Sequence, residues 1–329
     1  MTRLWNPSRS RALKVLAAAM LGLFVAVLPG TTSPAAAAVD GPPLNTPVSV
    51  LDAALSCPGT FLHPDREPVL LVHGTSSTYD ETWEWGYSPA LRDAGYDVCG
   101  VDLPNRAMGD IQVATEYVVH AIDRIHATTG RKVDVIGHSQ GNMEIRWALK
   151  WWPSLQAQVD DAVFVADPGH GIGGGNLLCT GSCAPAMHQF RIGSNFLVAL
   201  NAVDETPGSV SYTNLYSLTD EAIVPVTTAP LDGARNISMQ GVCPGRTVGH
   251  FSFLYDAVAY RLVIDALSHS GTAEPARLPL GTCLDVNLPG VSPSEASTAT
   301  AIAAANLNAE VLNATKFPAE PPLRAYTQP

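Results

Sequence analysis

The pentapeptide Gly137-His138-Ser139-Gln140-Gly141 sets one hydroxyl between two glycines, directly after the apolar run KVDVIGHS (132–139) and directly before GNMEIRWALKWW (141–152). A strand that turns sharply into a helix exposes its serine at the carboxyl end of a sheet. Gly137 and Gly141 must be small there because neighbouring backbone passes close. A serine hydroxyl is a weak nucleophile until a base takes its proton, and the imidazole that does so is oriented by a carboxylate. The chemistry expected of Ser139 is therefore acyl transfer through a covalent serine adduct.

The base and acid follow the serine in the order acid then histidine. His250 and His269 follow with enough chain between for further strands. His250, in the glycine-preceded loop TVGHFSF at a helix start, is preferred to His269, which lies past that helix. Asp220, in the loop LTDEAIVP after the strand TNLYS (213–217), is the expected acid; Glu221 beside it then points elsewhere. Its rivals are Asp204, Asp232 and, more seriously, Asp167 at the end of DAVFVAD (161–167). The negative charge that develops on the acyl oxygen needs preorganised N–H donors. Gln140, next after the nucleophile, offers one. Thr75, in the loop after PVLLVHG (68–74), offers the other, and its hydroxyl a further one. His73 ends that strand and reads as structural.

These residues need a rigid frame. PVLLVHG, YDVCGVDLP (96–104), KVDVIGHS, DAVFVAD and TNLYS are short apolar runs suited to strands buried on both faces. Between the second and third, IQVATEYVVHAIDRIHATTG repeats apolar side chains at three and four residues, with Glu116, His120, Asp123 and Arg124 opposite and Gly130 ending it. Alternation of strands and helices predicts an α/β fold, a mostly parallel sheet with helices on both faces. Residues 168–210 break the pattern and read as a cap-like insertion; its Phe196, Leu197 and Leu200 are candidates for an acyl-binding wall. FSFLYDAVAYRLVIDAL (251–267) returns to helical spacing. Within the final segment 285–329, SPSE (292–295) is a capping box opening an Ala-rich helix to about Leu312, followed by an irregular tail.

Residues 1–38 combine Arg3, Arg9, Arg11 and Lys14 with an apolar run of about 14 residues and AAAA at 35–38. That is the pattern of a removable secretory signal, too short for the ~20 residues of a membrane helix. Residues 39–329 then form a single secreted domain with no transmembrane anchor after processing. Its 15 basic and 30 acidic residues repel phosphate backbones, so nucleic acid is excluded as a partner. All six cysteines follow the leader, and an even count in an exported chain favours disulfides, with fifteen pairings open. The pairing adopted is Cys57 with Cys99, Cys243 with Cys283, and Cys179 with Cys183 as a local clip. Each of the first two closes a loop of about 40 residues, worth about 4 kcal/mol. A metal site on Cys179 and Cys183 with His170 or Asp167 is disfavoured by export and by the lack of a second Cys pair of ligand spacing. Gly169, Gly171 and Gly174 match a dinucleotide-binding spacing, but no amphipathic helix follows at once. The tryptophans at 83, 85, 147, 151 and 152 read as packing, not carbohydrate stacking.

Taken together, LLVHGT, GYDVCGVDLP, QVATEYVVHAI, SQG with WALKWWPS, VDDAVFVAD, SYTNLYSLTDEAIVP and the stretch from Cys243 to His250 resemble the Candida antarctica lipase B-like family of α/β-hydrolase serine lipases, as a bacterial-type relative. The resemblance runs from about Cys57 to Ser292. It implies a serine esterase acting on acyl esters such as triacylglycerols, with Ser139, Asp220 and His250 as the catalytic residues and Thr75 and Gln140 lining the oxyanion hole. It also implies the pairs Cys57–Cys99 and Cys243–Cys283, puts Asp167 in the pocket and not in the triad, and brings no metal or organic cofactor. The fungal members carry Thr and Trp where this chain has Gly137 and His138, and their C-terminal cysteine pair is absent here. The expectation is a secreted, monomeric lipase or esterase meeting ester substrate at a lipid–water interface. A polyester hydrolase or an acyltransferase would use the same residues, and a noncatalytic binding protein is the distant alternative.

Overall fold

Successive side chains along each central strand point alternately to two layers of helix, which is why those strands are mostly apolar on both faces. The computed structural model describes residues 40–327, and the leader predicted at 1–38 lies outside the described residues. Strands β1 (Leu55–Ser56), β2 (Val69–Val72), β3 (Val98–Val101), β4 (Val133–His138), β5 (Val159–Val165), β6 (Ser211–Tyr216) and β7 (Arg235–Ser238) form one sheet in the order β1-β3-β2-β4-β5-β6-β7. All neighbours are parallel except β1, which is antiparallel to β3. Strand order reverses at β2, whose two neighbours are β3 and β4. The crevice at the carboxyl ends of β2 and β4 is thus the topological switch point, where ligands of open α/β sheets bind.

On one face Leu70, Val72, Val135 and Phe164 pack with helices α1 (Ile111–Thr129) and α2 (Gly141–Trp151). The insertion folds as three short helices on this side: α3 (Gly173–Leu178), α4 (Pro185–Gln189) and α5 (Asn195–Asn201). On the other face Val69, Leu71, Ile136 and Val163 pack with Trp83, Tyr87 and helix α6 (Ala257–Ser268). Each fully buried leucine or valine contributes about 2 kcal/mol. Helix α7 (Pro293–Asn313) opens with the expected capping box, Ser292 and Glu295 bonding reciprocally and Pro293 first in the helix. The six cysteines form Cys57–Cys99, Cys179–Cys183 and Cys243–Cys283. Among the described residues no helix is long and apolar enough to cross a membrane.

Two local readings are corrected. Glu116 does not share a solvated face with His120, Asp123 and Arg124. It is buried, and its Oε2 accepts the Asn45 and Thr46 N–H groups at 3.0 and 2.7 Å, because the segment ahead of β1 crosses α1 there. The helix expected over 251–267 is broken. Phe251–Leu254 is a 3-10 turn, Tyr255 leaves helical geometry, and α6 starts only where Asp256 caps it, accepting from Val258 and Ala259 N–H at 2.9 Å.

Toward the amino ends of the central strands β4 and β5, at the opposite end of β4 from Ser139, Asp134 and Asp161 are buried side by side, the Asp161 N–H donating to Asp134 Oδ1 at 3.3 Å. Burial, reinforced by Asp160, pushes the Asp161 carboxyl up to about 8; burial and Asp161 push Asp134 well above the usual carboxylate range. A carboxyl whose folded value exceeds its unfolded one withdraws stability as pH rises from about 4 to about 8. Asp161→Asn is expected to raise Tm by a few degrees at pH 8 and leave it unchanged at pH 4. Parallel Tm–pH curves for the two proteins would sink this account.

Candidate active site

The turn that follows β4 is forced by close approach. A Cβ on Gly137 would lie 2.3 Å from Asn142 Oδ1 and 2.8 Å from its backbone nitrogen, and one on Gly141 would lie 2.5 Å from the Val72 carbonyl oxygen. Ser139 between them takes φ 54°, a left-handed conformation that a non-glycine residue adopts only when its surroundings impose it. The hydroxyl is thereby lifted off the sheet toward the loop that follows β7.

That loop carries His250. His250 Nε2 is 2.9 Å from Ser139 Oγ, and His250 Nδ1 is 3.0 Å from Asp220 Oδ2. Because a carboxylate only accepts, Nδ1 bears the proton and Nε2 is left to accept from the serine. Asp220 Oδ1 accepts the N–H groups of Ala222 and Ile223 at 2.8 and 2.9 Å. Burial pushes Asp220 up, but His250 and those two donors outweigh it and hold the carboxyl below the usual carboxylate range. It is ionised at neutral pH. The arrangement can take the proton from Ser139 and stabilise the imidazolium that results.

Three groups hold His250 in place, and sequence reasoning missed their part in it. Glu221, expected to point elsewhere, accepts the His250 N–H at 2.9 Å. His138 Nε2–H donates to the His250 carbonyl at 3.0 Å; burial drives His138 down to about 3, so it is neutral. Thr219 Oγ1 accepts from Val248 N–H at 3.0 Å and donates to Val248 O at 3.1 Å. The signal for Glu221 and His138 was adjacency to Asp220 and Ser139; for Thr219 there was none.

Opposite Ser139, the Thr75 hydroxyl donates to Gln140 Oε1 at 2.7 Å, so it is engaged within the protein and does not offer the extra oxyanion contact. Among the described residues the backbone N–H groups of Thr75 and Gln140 meet no intramolecular acceptor. They are available to an incoming oxygen. His73 is wholly buried and neutral, pushed down by burial, with Nδ1–H donating to Gly74 O and Nε2 accepting from Leu103 N–H. The left-handed turn at Asn105, Arg106 and Ala107 clamps the same loop from outside. Arg106 O accepts the Ser76 N–H at 2.7 Å, and its guanidinium reaches Ser76 O, Glu81 and, at 3.0 Å, Glu310 of α7.

A cavity of about 450 Å³ opens above Ser139 and His250, and its surface is mostly apolar. Ile172, Met187 and Phe190 of the insertion line it, together with Ala303, Leu307 and Val311 of α7. The wall expected from Phe196, Leu197 and Leu200 is a correction. These side chains turn inward from α5 into the core, Phe196 stacking on Trp147 at 4.5 Å between ring centres. Asp167 is also not on the cavity surface: it is buried 3.5 Å from Arg146 Nη1, and burial pushes it up to about 6. Asp204 is local, accepting the Thr206 N–H, and His269 packs beside Asp265 away from Ser139.

Residues 66–250 match the family model described as Lipase (class 2). The chain is 32% identical over 298 residues to Lipase B of Pseudozyma antarctica, covering 88% of this chain and 87% of that one. The crystal structure of Aspergillus fumigatus lipase B superposes with a TM-score of 0.82 at 29% identity, over 89% of this chain and 74% of that one. The mature form of Bacillus licheniformis lipase BlEst2 shares the fold, with a TM-score of 0.50 at 18% identity over 61% and 92%. By sequence over most of its length and by its mostly parallel α/β-hydrolase sheet, the chain belongs to the class 2 lipase family and is a carboxylic ester hydrolase.

Proposed function

We propose that the protein is a secreted lipase or esterase whose substrates are carboxylic esters such as triacylglycerols, cleaved through an acyl-enzyme on Ser139. His250 takes the Ser139 proton as Oγ attacks the ester carbonyl, and Asp220 holds the imidazole and balances its charge. The Thr75 and Gln140 backbone N–H groups receive the negative charge on the former carbonyl oxygen. His250 returns its proton to the departing alcohol, and water then enters by the same steps in reverse. The observation that carries this reading is the continuous Ser139–His250–Asp220 hydrogen-bond chain, whose Ser139 and His250 line a mostly apolar cavity. The N-terminal signal pattern and three disulfides support export.

The test is hydrolysis by the purified mature chain of esters from acetyl to long acyl and of emulsified triglyceride, with Ser139→Ala as control. Turnover of long-chain esters and triglyceride that the variant lacks supports a lipase. Activity limited to short esters points to an esterase or acyltransferase, and inertness toward every ester overturns the reading. Ala303 lies on the cavity flank, so Ala303→Trp is expected to lower kcat/KM for long-chain relative to short-chain esters about tenfold. An unchanged ratio would show that the acyl chain does not run along α7.

A further inference from the structure

We propose that Glu144 is a positioning residue for the oxyanion hole, its buried carboxyl fixing the Gln140 carboxamide and, through it, Thr75. The inference rests on the reading of Thr75 and Gln140 as the oxyanion donors. Gln140 and Glu144 are four residues apart across the first turn of α2, so their side chains share one face. Gln140 Nε2 donates to Glu144 Oε1 at 2.7 Å, and Gln140 Oε1 accepts the Thr75 hydroxyl at 2.7 Å. The two donor loops, one after β2 and one after β4, are thus tied by a side-chain relay. Gln140 and Glu144 are fully buried, so no solvent substitutes for a missing partner.

The order of the relay follows from hydrogen-bond chemistry. For the carboxamide oxygen to face the Thr75 hydroxyl, its nitrogen must face an acceptor, and the Glu144 carboxyl is that acceptor. Without it the amide is free to rotate, and Thr75 loses the partner that sets its rotamer and the adjoining backbone. Glu144 Oε2 and both Asp167 oxygens make no hydrogen bond among the described residues, while Arg146 lies 3.5 Å from Asp167 and donates to Asn201 Oδ1 at 2.6 Å. Burial, opposed by the Gln140 donor and reinforced by Asp167, pushes Glu144 up to about 8. At neutral pH it is therefore an uncharged acid, and glutamine is its close isostere.

The experiment compares Glu144→Gln, which keeps an acceptor, with Glu144→Met, which removes it at similar volume. Folding is checked by Tm, and kcat is normalised to the fraction of serine labelled by a fluorophosphonate. Glu144→Met is expected to lower kcat about tenfold with KM within twofold, and Glu144→Gln to stay within about threefold of the parent. In a Thr75→Val background Glu144→Met is expected to cost nothing further. Should Glu144→Met fail to fold, Glu144→Leu serves in the same comparison. Parental kcat in the acceptor-free variant, equal losses in both variants, or a change confined to KM would each overturn the proposal. Persistence of activity in Ser139→Ala would instead overturn the underlying reading, whatever Glu144 does.

Discussion

Ser139→Ala and His250→Ala are each expected to reduce kcat for ester hydrolysis by about six powers of ten, and Asp220→Asn by about four, in proteins that remain folded. On the proposed mechanism the serine and histidine act as one unit, so losing either is expected to forfeit nearly the whole of nucleophilic catalysis. Asp220 acts one step back. Its Oδ2 accepts the His250 Nδ1 proton at 3.0 Å, and an amide in its place can donate instead, which leaves the proton on Nε2 facing Ser139. The imidazole is then present but in the wrong tautomer. Because the folded Asp220 lies below the usual carboxylate range, its stabilising effect is complete above that range and is lost only as pH falls through the lowered value. Asp167→Asn supplies the contrast: Asp167 sits beside Arg146 and touches neither His250 nor Ser139, so kcat is expected to fall by less than about threefold. Near-parental activity in Asp220→Asn together with its loss in Asp167→Asn would reverse the assignment. Steady-state kinetics on a soluble ester, normalised to the concentration of folded protein, reads both.

Removal of the Cys243–Cys283 bridge by a double serine substitution is expected to cost about 4 kcal/mol, a fall in Tm of about 10 °C. The bridge spans 40 residues, and its effect arises from the freedom it denies the unfolded chain. It also closes the base of the His250 loop. Between Cys243 and His250 the guanidinium of Arg246 pairs with Asp256 at 2.7 Å and donates to the Asp285 and Val286 carbonyls at 2.8 and 3.1 Å, just beyond Cys283. The variant should therefore lose amide protection at 243–250 before the rest of the sheet opens. Cys179–Cys183, only four positions apart, is expected to contribute about 2 kcal/mol, and its removal should leave the His250 loop protected. Calorimetry of the two double variants, with hydrogen exchange on each, decides the matter; equal Tm losses would contradict the loop-length argument.

What the amino-acid sequence by itself determined is what depends on short stretches of chain. The apolar strand ending at His138, the glycines at 137 and 141 and the amphipathic helix after them lie within twenty residues, so the exposed position of Ser139 was legible without a partner. The five strands β2 to β6 were legible for the same reason, since buried strands are rich in apolar residues; the short edge strands Leu55–Ser56 and Arg235–Ser238 carry no such run and were not. The capping box at Ser292 was legible too. That His250 and Asp220 would meet Ser139 was legible because a base and an acid were sought and few residues stood in the right order.

What only the tertiary structure decided is which of several equivalent side chains meet across the fold. Phe196, Leu197 and Leu200 are as apolar as Ile172, Met187 and Phe190. Only the docking of the insertion against Trp147 turned the first three into the core and left the second three on the cavity. The α7 side of the cavity, the burial of Glu116 and the relay from Glu144 through Gln140 to Thr75 likewise join elements far apart in sequence. Periodicity states that a face is apolar or polar; it does not state what will cover it, because that depends on long-range packing and not on local backbone preference.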